Sequence, residues 1–387
     1  MPKGTIIYIG GFELPDKNAA AHRVLSNAKI LREIGYQVVF IGIDKNLRYF
    51  YSVADTRKEI QGFDCWFVPY PNTNTQWIDY LCNIKAFAEV AENYSDVKAV
   101  ICYDYQAVAF MKVKWFCRKN SIKIVADCAE WYSTKGANIA FKIIKGIDTF
   151  LRMRIIHKHL DGLIVISRYL EEYYDKCKNL IRIPPLVDLS EDKWNLPVPK
   201  YDDDKIRFVY AGSPGKNKDK INLLIESLYE LKEVSNYIFY VVGITKEQHL
   251  ADYEEHKEII EDLNNKIIFL GRLSHVDSLK YVKMADFNMF MRDDTRVTQA
   301  GFPTKFVESI SCGTPVITTR TSDLDEYLVE NENGYFIQFD SAESIRNRFL
   351  NIFSLDKKEI SKMKTNCHIS NVFDYRNYIY LLRESFD

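Results

Sequence analysis

A lysine and a glutamate three positions apart give the second half of the chain its most informative segment, Arg292 to Thr319. Pro303 stands where a first helical residue is favoured, so Lys305 and Glu308 are predicted to share one helical face near the helix N-terminus. The first amides of a helix are unpaired, and the helix dipole favours negative charge. An ammonium and a carboxylate presented there suit a ligand with phosphate and vicinal hydroxyl groups. An exposed ion pair within the helix is the alternative.

A second loop has the residue types of a phosphate site. Gly212 and Ser213 end an apolar run, and Lys218 and Lys220 lead into the next helical stretch. Backbone amides in a glycine loop, followed by lysines, are suited to cradle a phosphate. A solvated lysine-rich loop would have the same sequence, so both interpretations stay open.

The first half offers candidates for chemistry on a second substrate. Gly10-Gly11 follows the first predicted strand and would let a ligand approach the backbone closely. Asp127 and Glu130 follow the predicted strand Ile122–Ala126, and His22 lies at the start of the first long helix. Each of these three side chains would be placed to act in a cleft. Helix capping for the carboxylates and a surface position for the histidine are the alternatives.

Composition excludes several classes of protein. The chain has 387 residues, 47% hydrophobic and 27% charged, which is typical of a globular protein of two domains. A net charge of -1 predicts no nucleic-acid partner. The eight cysteines form no C-x-x-C pair and the histidines lack metal-binding spacing, so we predict no metal and no other cofactor. The N-terminus does not read as a signal peptide, and we expect a cytoplasmic protein.

The elements that must position these residues follow an α/β pattern. Short runs rich in Val and Ile alternate with longer amphipathic stretches, which predicts helices between parallel strands. The pattern restarts after an acidic, proline-rich stretch. We therefore predict a first domain over 1–184, a linker over 185–204 and a second domain over 205–372. Residues 373–387, rich in tyrosine and leucine, predict a C-terminal helix that crosses back to the first domain.

One further helix combines apolar and basic residues, from Ile139 to Leu160. A basic amphipathic helix can lie on an anionic membrane surface. Packing on the sheet, with a solvated basic face, is the alternative. No uncharged apolar stretch has the length of a membrane-spanning helix, so we expect at most a peripheral contact with the inner face of a membrane.

Taken together, the chain resembles glycosyltransferase family 4 over essentially its whole length. In the second half the resemblance rests on the loop Ala211 to Lys220 and on Glu308 with the run Cys312 to Ile317. In the first half it rests on Gly10-Gly11 and on Ile164 to Ser167. The family consists of retaining enzymes of GT-B architecture. The resemblance therefore implies two Rossmann-like, doubly wound domains that face each other across a cleft.

The resemblance also implies roles for individual residues. Glu308 would bind the ribose hydroxyls of a nucleoside diphosphate sugar, and Lys218 or Lys220 would hold its diphosphate. Gly10-Gly11 would approach this donor from the first domain, and Asp127 would orient or deprotonate the acceptor. The acceptor would be a hydroxyl of a glycan or of a lipid-linked oligosaccharide, as in the synthesis of bacterial surface polysaccharides. No divalent metal would be required.

Two positions depart from the family pattern. Ala300 stands where the family has a first glutamate, and Ser213 replaces an arginine of the phosphate loop. The chain looks like a branch with a P-x-K-x-x-E motif, in which Arg292 and Lys305 would supply the missing positive charge. The remaining predicted donor contacts flank this motif and are Gly301, Phe302 and Thr304.

Two other functions remain open. A sugar-nucleotide epimerase or a phosphorylase of the same fold would bind the same donor, although nothing marks the pyridoxal-binding lysine region of a phosphorylase. A non-catalytic nucleotide-binding scaffold would retain binding and lack transfer.

Overall fold

Apolar runs with many β-branched residues form the strands of two sheets. The structure is a computed structural model that describes residues 2–49, 52–132, 139–199, 201–233, 236–338 and 342–386. Lys200 of the predicted linker and Asp387 of the predicted C-terminal helix lie outside the described residues. The strands are β1 Thr5–Gly10, β2 Gln37–Asp44, β3 Lys58–Ile60, β4 Phe63–Pro69, β5 Val97–Tyr103, β6 Lys123–Cys128, β7 Gly162–Val165, β8 Leu180–Arg182, β9 Ile206–Ala211, β10 Tyr237–Val242, β11 Ile267–Gly271, β12 Phe287–Phe290, β13 Val316–Thr318 and β14 Gly334–Phe336.

Amphipathic stretches between the strands form the helices. They are α1 Ala19–Glu33, α2 Asn74–Cys82, α3 Lys85–Ala91, α4 Ala107–Lys119, α5 Ile139–Phe150, α6 Arg168–Tyr173, α7 Gly215–Lys218, α8 Ile221–Tyr229, α9 Lys246–Asp252, α10 His256–Leu263, α11 His275–Met284, α12 Arg296–Ala300, α13 Thr304–Ser311, α14 Leu324–Tyr327, α15 Ala342–Phe353, α16 Lys357–Ser370 and α17 Ile379–Phe386. A π-helical turn, Leu151–Ile156, continues α5. Across the described helices, none is long and apolar enough to span a bilayer.

The chain divides into two units, each with its own sheet. The first unit comprises Met1–Leu186, Ala300–Phe302 and Asp374–Asp387, and the second comprises Val187–Gln299 and Pro303–Phe373. The α/β class and the two parallel-sheet, Rossmann-like domains predicted from the sequence are confirmed. The domain limits predicted from composition stay predictions.

The sheet of the first unit has the strand order β3-β4-β2-β1-β5-β6-β7-β8 among the described residues. All pairs are parallel except β3 with β4. The strands β2, β4 and β3 extend the sheet on one side of β1. The strands β5 to β8 extend it on the other side. The carboxyl ends of β1 and β5 therefore form the switch point, where α/β sheets bind ligands.

The sheet of the second unit has the order β11-β10-β9-β12-β13-β14, and every described pair is parallel. Its central strand β9 is buried along its whole length, and five of its six residues are apolar, Arg207 being the exception. The order of strands reverses between β9 and β12. Loops at the carboxyl ends of these two strands thus meet at the switch point of this unit.

Two local predictions are wrong. Strand β6 does not end at Ala126 but continues to Cys128, which pairs with Val165 of β7. The strand continues because the carboxylate of Asp127 is neutralised inside the unit by Arg23. Pro303 is the N-cap of α13 and not its first helical residue.

The C-terminal helix belongs to the first unit. Helix α17 packs against α1. The Tyr36 hydroxyl donates a hydrogen bond of 2.8 Å to the carbonyl of Phe386, and the two rings meet edge to face. The last residues of the chain thereby complete the core around α1.

Candidate functional site

A buried carboxylate with three donors lies at the switch point of the second unit. Asp219, just after α7, accepts hydrogen bonds from Arg292 Nε at 2.7 Å and from the Tyr210 hydroxyl at 2.8 Å. Lys305 Nζ lies 2.7 Å from its other face, at Oδ2. Tyr210 lies near the carboxyl end of β9, Arg292 follows β12 and Lys305 belongs to the first turn of α13. One carboxylate therefore joins the elements that surround the switch point.

The charges of this cluster do not cancel. Burial raises the pKa of Asp219, but Lys305 and Arg292 outweigh burial and lower the pKa to about 2. The carboxylate is therefore ionised at neutral pH. Two cations against one carboxylate leave one positive charge, and the cations are themselves almost removed from solvent. Such a fixed charge attracts an anion more strongly than exposed lysines do.

Two glycines let a ligand approach the backbone of this site closely. Gly212 has φ +126, and a Cβ built on it would lie 2.8 Å from Lys305 Cε. Gly243 has φ +116, and a Cβ there would lie 2.3 Å from the carbonyl oxygen of Gly212. Neither position tolerates a side chain without displacing Lys305 or the backbone. The glycine loop that was predicted from sequence thus contacts the lysine of α13.

The N-terminus of α13 adds amides to the same region. Pro303, the N-cap, provides no side-chain hydrogen bond to the first turn. The amides of Thr304 and Lys305 therefore keep their capacity to bind an anion. The predicted face of α13 also carries Glu308, whose Oε1 lies 3.1 Å from His275 Nε2 at the start of α11.

Hydrogen bonds from the backbone of Arg292 hold the loop that carries this residue. Its amide donates to Thr319 Oγ1 at 2.9 Å, and the same hydroxyl donates to the carbonyl of Arg292 at 2.8 Å. These bonds attach the loop after β12 to the residue after β13. The guanidinium therefore reaches Asp219 from a fixed backbone.

Lys218 and Lys220 of the glycine loop lie nearer the surface than the buried carboxylate. Lys220 Nζ pairs with Asp293 Oδ2 at 2.8 Å, near the surface. Lys218 and Ser213 are exposed. The structure thus brings Gly212, Arg292, Lys305 and Glu308 to one switch point, with Lys220 beside them. Whether Lys218 or Lys220 holds a diphosphate stays a prediction.

The three residues before Pro303 group with the first unit. There Ser167 Oγ donates to the carbonyl of Ala300 at 2.9 Å, and Ala300 is fully buried. Gly301 and Phe302 are buried as well. Their predicted contacts with a donor stay predictions, as does that of the half-buried Thr304.

The first unit has a cavity near Gly10. A Cβ on Gly10 would lie 2.5 Å from the carbonyl oxygen of Tyr103, so the residue must be glycine for β1 and β5 to approach, whereas Gly11 has more space. The cavity measures about 400 Å³, and Gly10, Asp79, Tyr80 and Tyr105 belong to its lining. A volume of this size admits a small polar molecule.

Asp127 lies at the centre of a buried network. It is fully buried, and its Oδ1 accepts from Arg23 Nε at 2.8 Å and from Nη2 at 2.7 Å. Its Oδ2 accepts from the Tyr8 hydroxyl and, at 3.3 Å, from Asn27. Arg23 also donates to the carbonyl of Ile183. This network joins β1, α1 and β6, and a role of Asp127 towards an acceptor stays a prediction.

A second carboxyl group stands at the end of β5. Burial raises the pKa of Asp104 to about 7; the Arg152 guanidinium opposes this shift, and Glu130 adds to it. Arg152 Nη1 lies 3.2 Å from Asp104 Oδ1. Glu130 itself is half-buried, as is His22 on the first turn of α1. Asp104 thus joins the predicted Glu130 near the switch point of the first unit.

Sequence reasoning missed Asp219, His275 and Asp104. Asp219 stands between two lysines in the sequence, and its contacts with the distant residues Arg292 and Lys305 reveal its role. Asp104 had a detectable signal, because it directly follows the apolar strand β5. His275 had none, since it contacts Glu308 across 33 positions.

The sequence of the second unit matches a known family. Residues 193–367, a little under half of the chain, match the model of glycosyl transferases group 1. This part of the chain is therefore a glycosyltransferase domain, and the protein is a transferase. The comparison with curated protein sequences finds no match.

Three solved structures illustrate the similarity in fold. Sucrose-phosphate synthase from Thermosynechococcus elongatus is 16% identical with a TM-score of 0.71, covering 99% of this chain and 98% of that one. HepE from Anabaena, in complex with UDP and glucose, is 14% identical with a TM-score of 0.65, covering 99% of each chain. The catalytic domain of starch synthase IV from Arabidopsis thaliana, bound to ADP and acarbose, is 12% identical with a TM-score of 0.72, covering 99% and 98%. These likenesses show a GT-B fold.

Proposed function

From a chain that carries a group 1 glycosyltransferase domain, we propose a retaining enzyme that moves a sugar from a nucleoside diphosphate sugar to a hydroxyl group. The observation that carries this proposal is the pair of buried cations, Lys305 and Arg292, held on Asp219 beside the Gly212 loop. A diphosphate is the natural partner of such a site, because it needs fixed positive charge and close backbone approach.

The departing diphosphate determines which charge the site must stabilise. When the bond between sugar C1 and the phosphate oxygen breaks, negative charge grows on that oxygen. The new bond joins C1 to the acceptor oxygen, and the acceptor hydroxyl gives its proton to the carboxylate of Glu130. Lys305, Arg292 and the uncapped amides of α13 stabilise the growing charge without reorganisation. We therefore propose that the reaction requires no metal ion.

Glu308 is the proposed ligand for the ribose hydroxyls. It lies on the same helix as Lys305, and His275 orients one of its carboxylate oxygens. The bound UDP and ADP of the Anabaena and Arabidopsis structures support a nucleoside diphosphate in this protein. Support for the role of Glu308 comes from its place one helical turn beyond Lys305.

The proposed acceptor is a glycan or a lipid-linked oligosaccharide, in the cytoplasmic synthesis of a bacterial surface polysaccharide. The cavity beside Gly10 combines the carboxylate of Asp79 with the aromatic rings of Tyr80 and Tyr105. Rings and polar groups together suit the faces and hydroxyls of a sugar. Glu130 is the group we propose to act on the acceptor hydroxyl.

The first test is a binding panel. UDP, GDP, ADP, CMP and their sugar conjugates are added to the wild type, Glu308→Ala and Lys305→Ala, and thermal unfolding is followed. A ligand at about 100 times its Kd stabilises the fold by roughly 2.7 kcal/mol. We expect one nucleoside diphosphate to stabilise the wild type and to lose most of this effect in both variants.

The matched control is Lys280→Ala. Lys280 also pairs with a carboxylate, Asp277, at 2.8 Å, but both side chains are exposed on α11. Turnover of the donor should fall about 10²-fold in Lys305→Ala and in Arg292→Ala and stay unchanged in the control. Near-normal turnover in both site variants would contradict the proposal. Binding without transfer or hydrolysis would indicate a scaffold, and an isomerised sugar nucleotide would indicate an epimerase.

A further inference from the structure

Helix α5 is attached to the first unit by its polar side. Asp148 Oδ1 accepts a hydrogen bond of 2.7 Å from the amide of Ala107, at the start of α4. Lys145 Nζ lies 3.9 Å from the centroid of the Tyr132 ring, and one turn beyond α5 Arg152 pairs with Asp104. Lys145, Asp148 and Arg152 recur at helical spacing, so they form one stripe that faces the protein.

The apolar side of α5 faces solvent. Ile139 is 76% exposed, Ile144 57% and Ile147 55%, and Phe141, Ile143 and Phe150 are exposed as well. A helix that packs on a sheet buries its apolar stripe. In α5 the orientation is reversed. Six large apolar side chains in a helix of twelve residues are thus presented to the surroundings.

Neighbouring helices extend this surface. Helix α4 contacts both α5 and α2. Val108, Met111 and Trp115 form one exposed stripe on α4, and Trp115 is 66% exposed. On α2, Trp77 and Ile78 are exposed too. We call the exposed apolar residues of α2, α4 and α5 the outer face. Large exposed apolar surfaces mark interaction sites.

Basic residues surround the outer face. The segments 107–119 and 139–160 contain nine Lys and Arg and one Asp, a local charge of +8. The whole chain carries -1, so the remaining residues carry -9. Lys112, Arg118, Lys119, Lys142, Arg154 and Lys158 are the exposed members. This combination of apolar and cationic groups complements an anionic lipid surface, where apolar side chains enter the interface and cations meet the headgroups.

We propose that the outer face docks the protein on membranes that contain anionic lipids, with α5 lying in the plane of the interface. The sequence pattern predicted a contact through Ile139 to Leu160, and the structure adds α4 and α2 to it. The inference does not rest on the proposed transfer reaction. A second copy of the chain on this face is an alternative that the test must separate.

The test is co-sedimentation of the full chain with vesicles of phosphatidylcholine alone or with 30% phosphatidylglycerol. We expect at least about tenfold tighter binding to the anionic vesicles, weakened by salt. Ile144→Glu combined with Ile147→Glu should abolish binding, and Lys142→Glu with Arg154→Glu should reduce it about tenfold. The matched control is Ile369→Glu, which changes a side chain 69% exposed on α16 of the second unit.

A fluorescence measurement separates docking from misfolding. Anionic vesicles should shift the tryptophan emission of the wild type to the blue, and Trp115→Phe should remove most of this shift. Each variant should keep its thermal stabilisation by nucleoside diphosphate, which reports on the second unit. Equal binding to both vesicle types, unchanged binding of Ile144→Glu/Ile147→Glu, or a dimer in solution that this double variant dissociates would overturn the proposal.

Discussion

At the scale of single residues, Asp219 organises the candidate site. It holds two cations at fixed positions and is itself ionised because they lower its pKa to about 2. Its contribution to stability is present above its unfolded pKa of about 4 and is lost as the pH falls through about 2. At neutral pH the carboxylate therefore acts as a permanent support for Lys305 and Arg292.

We predict that Asp219→Asn destabilises the second unit by about 3 kcal/mol, because it leaves two buried cations without a counter-charge. Urea unfolding of the ligand-free protein measures this loss. The control Asp277→Asn breaks an exposed pair with Lys280 and should cost under about 1 kcal/mol. Equal, small losses in both variants would show that the buried cluster does not depend on Asp219.

For Asp104 we predict a contribution to stability that changes with pH in the opposite direction from that of Asp219. Burial raises its pKa to about 7, so the folded protein binds a proton that the unfolded chain releases near pH 4. The contribution of Asp104 to the unfolding free energy is complete below about pH 4. It declines by up to roughly 4 kcal/mol as the pH rises to about 7. We therefore expect the unfolding free energy of the wild type, minus that of Asp104→Asn, to fall across this range and to be flat above it.

The control for this measurement is Asp96→Asn, which alters an exposed pair with Lys98. A difference between wild type and Asp104→Asn that does not change with pH would contradict the raised pKa of Asp104.

At the scale of elements, the loop after β9 and the helix α13 form one unit of function. A Cβ on Gly212 would lie 2.8 Å from Lys305 Cε, and φ +126 is unfavourable for any other residue. We predict that Gly212→Ala displaces Lys305 and weakens nucleotide binding about tenfold, with a loss of stability of about 1 to 2 kcal/mol. Calorimetric titration of the diphosphate measures the affinity.

Gly146 supplies the matched control, because a Cβ there meets no atom within 4 Å. It lies inside α5, where alanine is the better helix former, so Gly146→Ala should stabilise the protein by about 0.5 to 1 kcal/mol and leave nucleotide affinity unchanged. Unchanged nucleotide affinity in Gly212→Ala would show that the Gly212 loop does not control the position of Lys305.

Periodicity predicted where elements lie better than which face they bury. Short runs rich in Val and Ile indicated an alternation of strands and helices, whereas short edge strands such as β3, of three residues, leave little pattern. For α5 the spacing of apolar residues correctly indicated two faces. It could not tell which face turns inward, because that is decided by the partners of Lys145, Asp148 and Arg152 on other elements.

The candidate site was predictable to the same extent. Lys305 and Glu308 were found because a helix start and a spacing of three are local signals. Asp219 and Asp104 depend on partners up to 86 positions away, and no local pattern encodes such contacts. The composition of the Gly212 loop indicated Lys218 and Lys220 as ligands. The structure instead buries Asp219, the carboxylate between them in the sequence.

At the scale of the whole molecule, charge is distributed unevenly although it nearly cancels in sum. The segments 107–119 and 139–160 carry +8 and the rest of the chain -9. A near-neutral total therefore conceals a dipolar chain, and average charge is a poor guide to partners in this protein.

The return of Asp374–Asp387 to the first unit has a consequence for biosynthesis. Residues of the first unit are synthesised before Val187, yet α1 gains its contact with α17 only after Phe373 has been made. The second unit, Val187–Gln299 and Pro303–Phe373, is synthesised in between and has all of its residues before α17 appears. Of the two units, the one whose synthesis begins earlier is thus the one that is completed later.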